Sequence, residues 1–229
     1  MVAHNVLVVA AHPDDEVLGA GGAIARHREE GDSVIVLILG EGIVSRAGVS
    51  KGEALKQQKK LQTDAVSASA VLGAPAPMLR SFPDNSFDSV PLLSIVREIE
   101  TVVKETKPDL IYTHHAGDVN IDHRVVAEAV DAVVRPLENA RLTEVRAFEI
   151  ASSSDWNFTR SAFRPNIFVA LSEVQLQKKI DAMRAYTSEI RPFPHPRSPE
   201  YLEALARVRG GQSGFRAAEA FALIYARYV

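Results

Sequence analysis

Two short stretches of this chain carry chemically competent side chains where a buried strand should end. The first is Ala10-Ala11-His12-Pro13-Asp14-Asp15-Glu16, directly after the apolar run Val6-Leu7-Val8-Val9 and directly before a helical pattern. A histidine and three acids at such a place are costly unless they bind something. Pro13 biases His12 towards an extended conformation, so the strand ends there and a tight turn begins. His12 and Asp15 then flank one turn, close enough to share an ion. Helix capping by Asp14 or Asp15, with Glu16 at the positive end of the helix dipole, accounts for one acid and tolerates the others. It does not account for His12 or Pro13.

The second stretch is His114-His115-Ala116-Gly117-Asp118-Val119-Asn120-Ile121-Asp122-His123, which continues the apolar run Leu110–Thr113. Again a strand end carries metal-competent residues. Two such clusters in the same topological position strengthen the functional reading of each.

Composition narrows the chemistry. The chain has no cysteine, which excludes disulfides, thiolate nucleophiles and zinc-thiolate sites and leaves His, Asp and Glu as metal ligands. A net charge of −3 gives no footprint for nucleic acid or an anionic membrane surface. With 229 residues, 46% of them hydrophobic, the expectation is a single domain over 1–229. The first apolar run is far below the ~18 residues that span a bilayer, and no signal-like segment precedes it, so the expected location is cytoplasmic.

The elements that position the two clusters follow from periodicity. Asn5–Ala11, Ser33–Leu39, Met78–Phe82, Leu110–Thr113, Val145–Ile150 and Asn166–Leu171 read as strands. Val17–Glu30, Glu53–Leu72, Ser89–Glu105, Arg124–Val134 and Ser172–Thr187 read as helices, and Ser198–Arg209 and Ala217–Arg227 as two closing helices. Gly19, Gly21 and Gly22 point to close backbone packing; they do not fit the dinucleotide fingerprint, whose glycines precede the helix. Alternating strands and helices predict an α/β fold with a mostly parallel, doubly wound sheet. In such folds the loops at the strand carboxyl ends converge on one edge. That edge receives His12, Asp15 and His123, together with the Gly40–Gly52 loop bearing Glu41 and Arg46. Two imidazoles and a carboxylate suit a catalytic zinc that keeps an open position. Asp14 and Asp122 are extra acids beside it, suited to take a proton or to hold a ligand in place.

Ala11 to Glu16, joined to Asp122-His123 on a later strand–helix loop, resembles the LmbE/PIG-L family of zinc-dependent N-acetylsugar deacetylases. The resemblance covers the first ~135 residues, and its first motif is highly specific. It implies an LmbE-like, Rossmann-like three-layer α/β/α domain, one zinc per chain on His12, Asp15 and His123, and Asp14 as general base. One departure matters. The family's second motif commonly reads His-x-Asp-His, and here it is Asn120-Ile121-Asp122-His123. An amide can stabilise an oxyanion but cannot deliver a proton. Either Asp14 carries the proton to the departing amine or another residue does. His195 is the candidate, on the proline-stiffened loop Arg191–Arg197.

The reaction expected from the resemblance is hydrolysis of the acetamide of an N-acetylated sugar or glycoconjugate, a small-molecule substrate. Arg46, Arg191 and Arg197, with Arg209, are read as solvated surface unless two or more converge; converging, they would favour an anionic, nucleotide-linked substrate. Two other readings stand beside it: a non-catalytic sugar- or nucleotide-binding module, and a metal-dependent hydrolase of another ester or amide. A homo-oligomer is left open.

Overall fold

Val6, Val8 and Ala10 face one side of the central strand β1 (Asn5–Ala10) and join one apolar cluster, while Leu7, Val9 and Ala11 join another on the opposite side. A strand buried on both faces must lie inside a sheet covered by helices on both sides. The computed structural model describes residues 3–42, 51–135, 141–158 and 161–228. Within them β1 is flanked by β2 (Ser33–Gly40) and β4 (Leu110–His114), both parallel to it. Beyond these lie β3 (Met78–Phe82) and β5 (Glu144–Phe148), also parallel. Two further strands, β6 (Ile167–Ala170) and β7 (Ala218–Ala226), complete the order β3-β2-β1-β4-β5-β7-β6, with β7 antiparallel to both neighbours.

Helices α1 (Asp15–Glu30), α2 (Lys51–Val71) and α5 (Glu173–Ala185) pack on the Val6/Val8 side, the last through Ala182 and Met183. On the other side α3 (Leu92–Thr106) contributes Ile95, Val96, Ile99 and Val102, and α4 (Ile121–Val133) contributes Val126, Ala129 and Val130. This is the expected three-layer α/β/α arrangement with a mostly parallel sheet. The chain builds β1, β2 and β3 outwards and then returns to lay β4 on the other side of β1. The β1/β4 junction is therefore the topological switch point, where open α/β sheets form a ligand crevice. Among the described residues no helix is long and apolar enough to cross a membrane.

Two expectations are corrected. Ala217–Arg227 is not a helix: Ala218–Ala226 is the strand β7, paired along both edges. Its Ala, Glu and Leu residues favour a helix locally, but two strands offering ladders outweigh that preference. Ser198–Arg209 does form a helix, extended as α6 (Pro199–Ser213) with Ser198 capping Tyr201 N–H. The fourth helix begins at Ile121 rather than Arg124, so Asp122 and His123 stand on its first turn instead of in a loop. Asn120 sets that start, its side-chain oxygen accepting the Asp122 N–H at 2.8 Å.

α1 is broken at Ala20 (φ −142°, ψ 16°), which frees backbone groups in a buried place. Glu219 of β7 accepts the N–H groups of Gly22 and Ala23 at 2.8 and 2.6 Å. Lys179 of α5 donates to Leu18 O at 2.8 Å and to Glu219 at 2.6 Å. The break is satisfied by one buried ion pair, as buried backbone requires. The glycines around it allow the close packing expected of them. A Cβ on Gly19 would stand 2.4 Å from the Phe148 ring, and one on Gly22 would stand 2.5 Å from Leu171.

Candidate active site

His12 stands two residues beyond the end of β1, and its imidazole is held from two sides. Nε2 lies 2.8 Å from Asp122 Oδ2 and 3.4 Å from Asp84 Oδ1, so that nitrogen carries the proton. Nδ1 is left facing Asp15 Oδ2 at 3.4 Å. His123 arrives from the first turn of α4 in the same manner. Its Nδ1 is 3.2 Å from Asp118 Oδ1, and its Nε2 is 3.2 Å from the same Asp15 oxygen. That Nε2 is buried and has no hydrogen-bond partner. Each imidazole thus has one nitrogen fixed by a carboxylate and the other aimed at Asp15, the arrangement that orients histidine ligands around a metal. Ligand atoms of His12, Asp15 and His123 all lie within 4.8 Å of one another. Two imidazoles and one carboxylate fit a divalent ion of the zinc type.

Electrostatics point the same way. Burial opposes a charge on His12, yet Asp122 and Asp15 outweigh it and lift the imidazole to about 10. Burial likewise opposes a charge on His123, and Asp15 and Asp118 raise it to about 9. Burial disfavours ionised Asp15, but the imidazoles of His123 and His114 hold it well below the usual carboxylate range. The pocket is built to hold positive charge against Asp15. His114, at the end of β4, lies beneath: its Nε2 accepts the Ala11 N–H at 2.9 Å, and its ring stacks on His123 at 4.0 Å. Burial and the neighbouring His123 keep it neutral.

Asp14 occupies the N-cap position of α1 but makes no capping bond with its side chain, so capping does not explain this acid. Its backbone has φ 101°, a region that non-glycine residues rarely enter. Its carboxylate is buried and receives Arg197 Nη1 at 2.8 Å. Burial pushes it well above the usual carboxylate range, against the pull of Arg197. Arg197 also bonds Glu189 at 3.0 Å and Ser152 Oγ at 3.0 Å. Glu16 turns away from the cavity to Tyr186, and burial raises it to about 7.

These groups surround a cavity of about 450 Å³. His12, Asp14, Asn120, His123 and Arg197 line it, with Asp15 and Asp122 buried behind the histidines. The other expected residues do not line it. Arg191 and His195 belong to a neighbouring hollow, and Glu41 is absent from the wall although Gly42 is present. Arg209 pairs with Glu149 at 2.7 and 2.5 Å instead of converging on the site. Arg46 lies outside the described residues. The expected cluster of arginines therefore reduces, among the described residues, to Arg197, whose charge is met by two carboxylates. Asp84, Asp118 and Glu189 are site residues that the sequence reading did not single out. Asp84 stands two residues beyond β3, as His12 stands two residues beyond β1, so the reasoning that selected His12 applies equally to it.

A Rossmann-like sheet with an imidazole–carboxylate centre at its switch point defines the class: an α/β protein with a site suited to a divalent ion. The chain belongs to the PIG-L family, whose profile, described as GlcNAc-PI de-N-acetylase, matches residues 7–134. It is 28% identical over 236 residues to the diacetylchitobiose deacetylase of Thermococcus kodakarensis, covering 94% of this chain and 81% of that protein. The solved N,N'-diacetylchitobiose deacetylase from Pyrococcus horikoshii shares the fold with a TM-score of 0.77 at 18% identity, over 97% of this chain and 84% of that one. So does the 4-carboxy-2-hydroxymuconate hydratase GalB from Pseudomonas putida, with a TM-score of 0.75 at 22% identity over 98% and 97% of the two chains. The shared fold thus carries more than one reaction, and the site must decide which.

Proposed function

We propose that this protein hydrolyses the acetamide of an N-acetylated sugar or glycoconjugate, releasing acetate and a free amine, with one zinc ion held by His12, Asp15 and His123. The observation that carries the reading is the convergence of two fixed imidazole nitrogens on Asp15, beside a buried second carboxylate on the cavity wall. Family membership and the deacetylase relatives support it.

When bound by His12, Asp15 and His123, a zinc ion would supply Lewis acidity. The remaining steps belong to the chain. Arg197 engages Asp14 Oδ2, leaving Oδ1 to take the proton of the attacking water. Asp14 returns that proton to the nitrogen as the C–N bond breaks, because an amide anion is too basic to leave unprotonated. A carboxyl raised by burial is suited to both transfers. Asn120 uses its side-chain oxygen as the α4 cap and gives one Nδ2–H to Asn85 Oδ1 at 3.3 Å, which leaves the other Nδ2–H for the developing oxyanion. Asp122 fixes His12 in the tautomer that presents Nδ1. Arg197, the arginine among the described lining residues, already bonds Asp14 and Glu189, so it is not free to clamp a phosphate, which favours a neutral sugar over a phosphorylated or nucleotide-linked one.

Amine release should be followed with free, phosphorylated and nucleotide-linked N-acetylated sugars, using Asp14→Asn as control. The expected result is release from neutral members, lost in the variant. Release from none of them by protein holding one zinc per chain would overturn the deacetylase reading.

A further inference from the structure

A second hollow, of about 740 Å³, is lined by the continuations of two segments that wall the cavity. Ser152 and Ser153 line the cavity while Asp155 and Trp156 line the hollow; Arg197 lines the cavity while His195 and Pro196 line the hollow. The Arg197 Nε bond to Ser152 Oγ at 3.0 Å ties the two segments together. Trp156 follows Ser153 by three residues, so its Cα lies at most about 11 Å from that cavity residue. This is within reach of a sugar ring adjoining one held in the cavity.

The walls have the composition of a sugar platform. Trp156 is 46% exposed and Phe193 is 63% exposed, a large apolar area to leave open to water. The loop that carries Phe193 is stiffened by Pro192, Pro194 and Pro196, so little ordering of it is required when a ligand arrives. Polar groups stand around the aromatic surface. Tyr201 donates its hydroxyl proton to Asp155 at 2.8 Å, leaving the other carboxylate oxygen for a ligand hydroxyl. His195 Nδ1 accepts the Arg197 N–H at 3.1 Å, which puts its proton on Nε2 as a donor. The His195 ring meets Trp156 edge-on at 5.8 Å. An apolar face flanked by donors and acceptors matches a pyranose, whose C–H face is apolar and whose edge carries hydroxyls.

We propose that this hollow is an outer subsite that binds the sugar ring adjoining the N-acetylated one, with Trp156 as its stacking platform. The proposal rests on the deacetylase reading for the ring in the cavity. Binding and turnover can nevertheless be read separately, because Trp156 is the chain's single tryptophan. Its fluorescence reports on the hollow alone.

The zinc-loaded protein should be titrated with N-acetylglucosamine and with N,N'-diacetylchitobiose while amine release from each is measured. The expected result is a saturable change of Trp156 emission that is larger with the disaccharide. Trp156→Ala and Phe193→Ala should each lower the disaccharide-to-monosaccharide ratio of kcat/KM by about tenfold. Amine release from the disaccharide with no emission change and an unaltered ratio would overturn the subsite and leave the deacetylase standing. An emission change without amine release would support the subsite and overturn the deacetylase. Trp156 emission that depends on protein concentration and ignores sugar, together with a multimeric mass, would overturn the subsite in favour of a contact between two copies of the chain.

Discussion

Asp122 Oδ2 lies 2.8 Å from His12 Nε2, while its Oδ1 accepts the Phe87 N–H at 2.9 Å. One carboxylate on the first turn of α4 thus fixes the ring that follows β1 and the short turn Phe87–Ser89 that follows β3. The bond decides which His12 nitrogen is free, and the free one faces Asp15.

Removing that bond should loosen the metal without unfolding the chain. For Asp122→Ala we expect zinc affinity to fall about 10–100-fold, as when other carboxylates behind a histidine ligand are lost. Competition with a coloured chelator measures it. Affinity equal to wild type would show that packing alone holds His12.

The break in α1 gives a stability prediction at residues that do not line the cavity. Glu219→Ala leaves two buried N–H groups and the Lys179 ammonium without their partner. Breaking a buried pair in this way costs about 3–5 kcal/mol. Urea unfolding should show that loss, and Lys179→Met combined with Glu219→Ala should be less destabilised than Glu219→Ala alone.

Gly19→Ala tests the packing behind the site. The added methyl would displace the fully buried Phe148 ring, which meets His114 at 4.7 Å, and His114 stacks on His123. Overpacking of this kind costs about 1–3 kcal/mol. A lowered melting temperature is expected, together with weaker zinc binding.

Asp109 sets an acid limit on stability. Burial opposes its ionisation, but Arg141 at 2.7 and 3.1 Å and the Asn5 N–H at 2.7 Å hold it below the ordinary 3.8. A carboxyl lowered in the folded state releases its proton more readily there than in the unfolded chain. Its stabilisation is complete above 3.8 and is lost as pH falls through the lower folded value. The difference in urea midpoint between wild type and Asp109→Asn should therefore be full at neutral pH and shrink below 3.8.

His12 and Asp15 are legible in the sequence because they follow an unmistakable apolar strand within a few residues, and His123 because it closes the polar run that begins at the end of β4. The roles of Arg197 and Glu189 are not, since their pairing with Asp14 is made by segments that meet only in three dimensions. Arg197 reads in the sequence as solvated surface, or as part of an anion clamp if other arginines converge with it; in the fold its charge is met by Asp14 and Glu189. His195 looked like an acid for the leaving amine, yet its ring turns to Trp156 in the next hollow. β7 was misread because Ala-Glu-Ala-Phe-Ala-Leu suits a helix when taken alone. A lone glutamate in an otherwise apolar run was the available signal, and it marks the residue that satisfies the break in α1.

The most direct test of the central claim is amine release from a neutral N-acetylated sugar after chelation, as zinc is returned stepwise. Activity should be absent from the stripped protein and should rise to a plateau at one zinc per chain. Undiminished amine release by the stripped protein, or a plateau reached only at two ions per chain, would contradict a single centre formed by His12, Asp15 and His123.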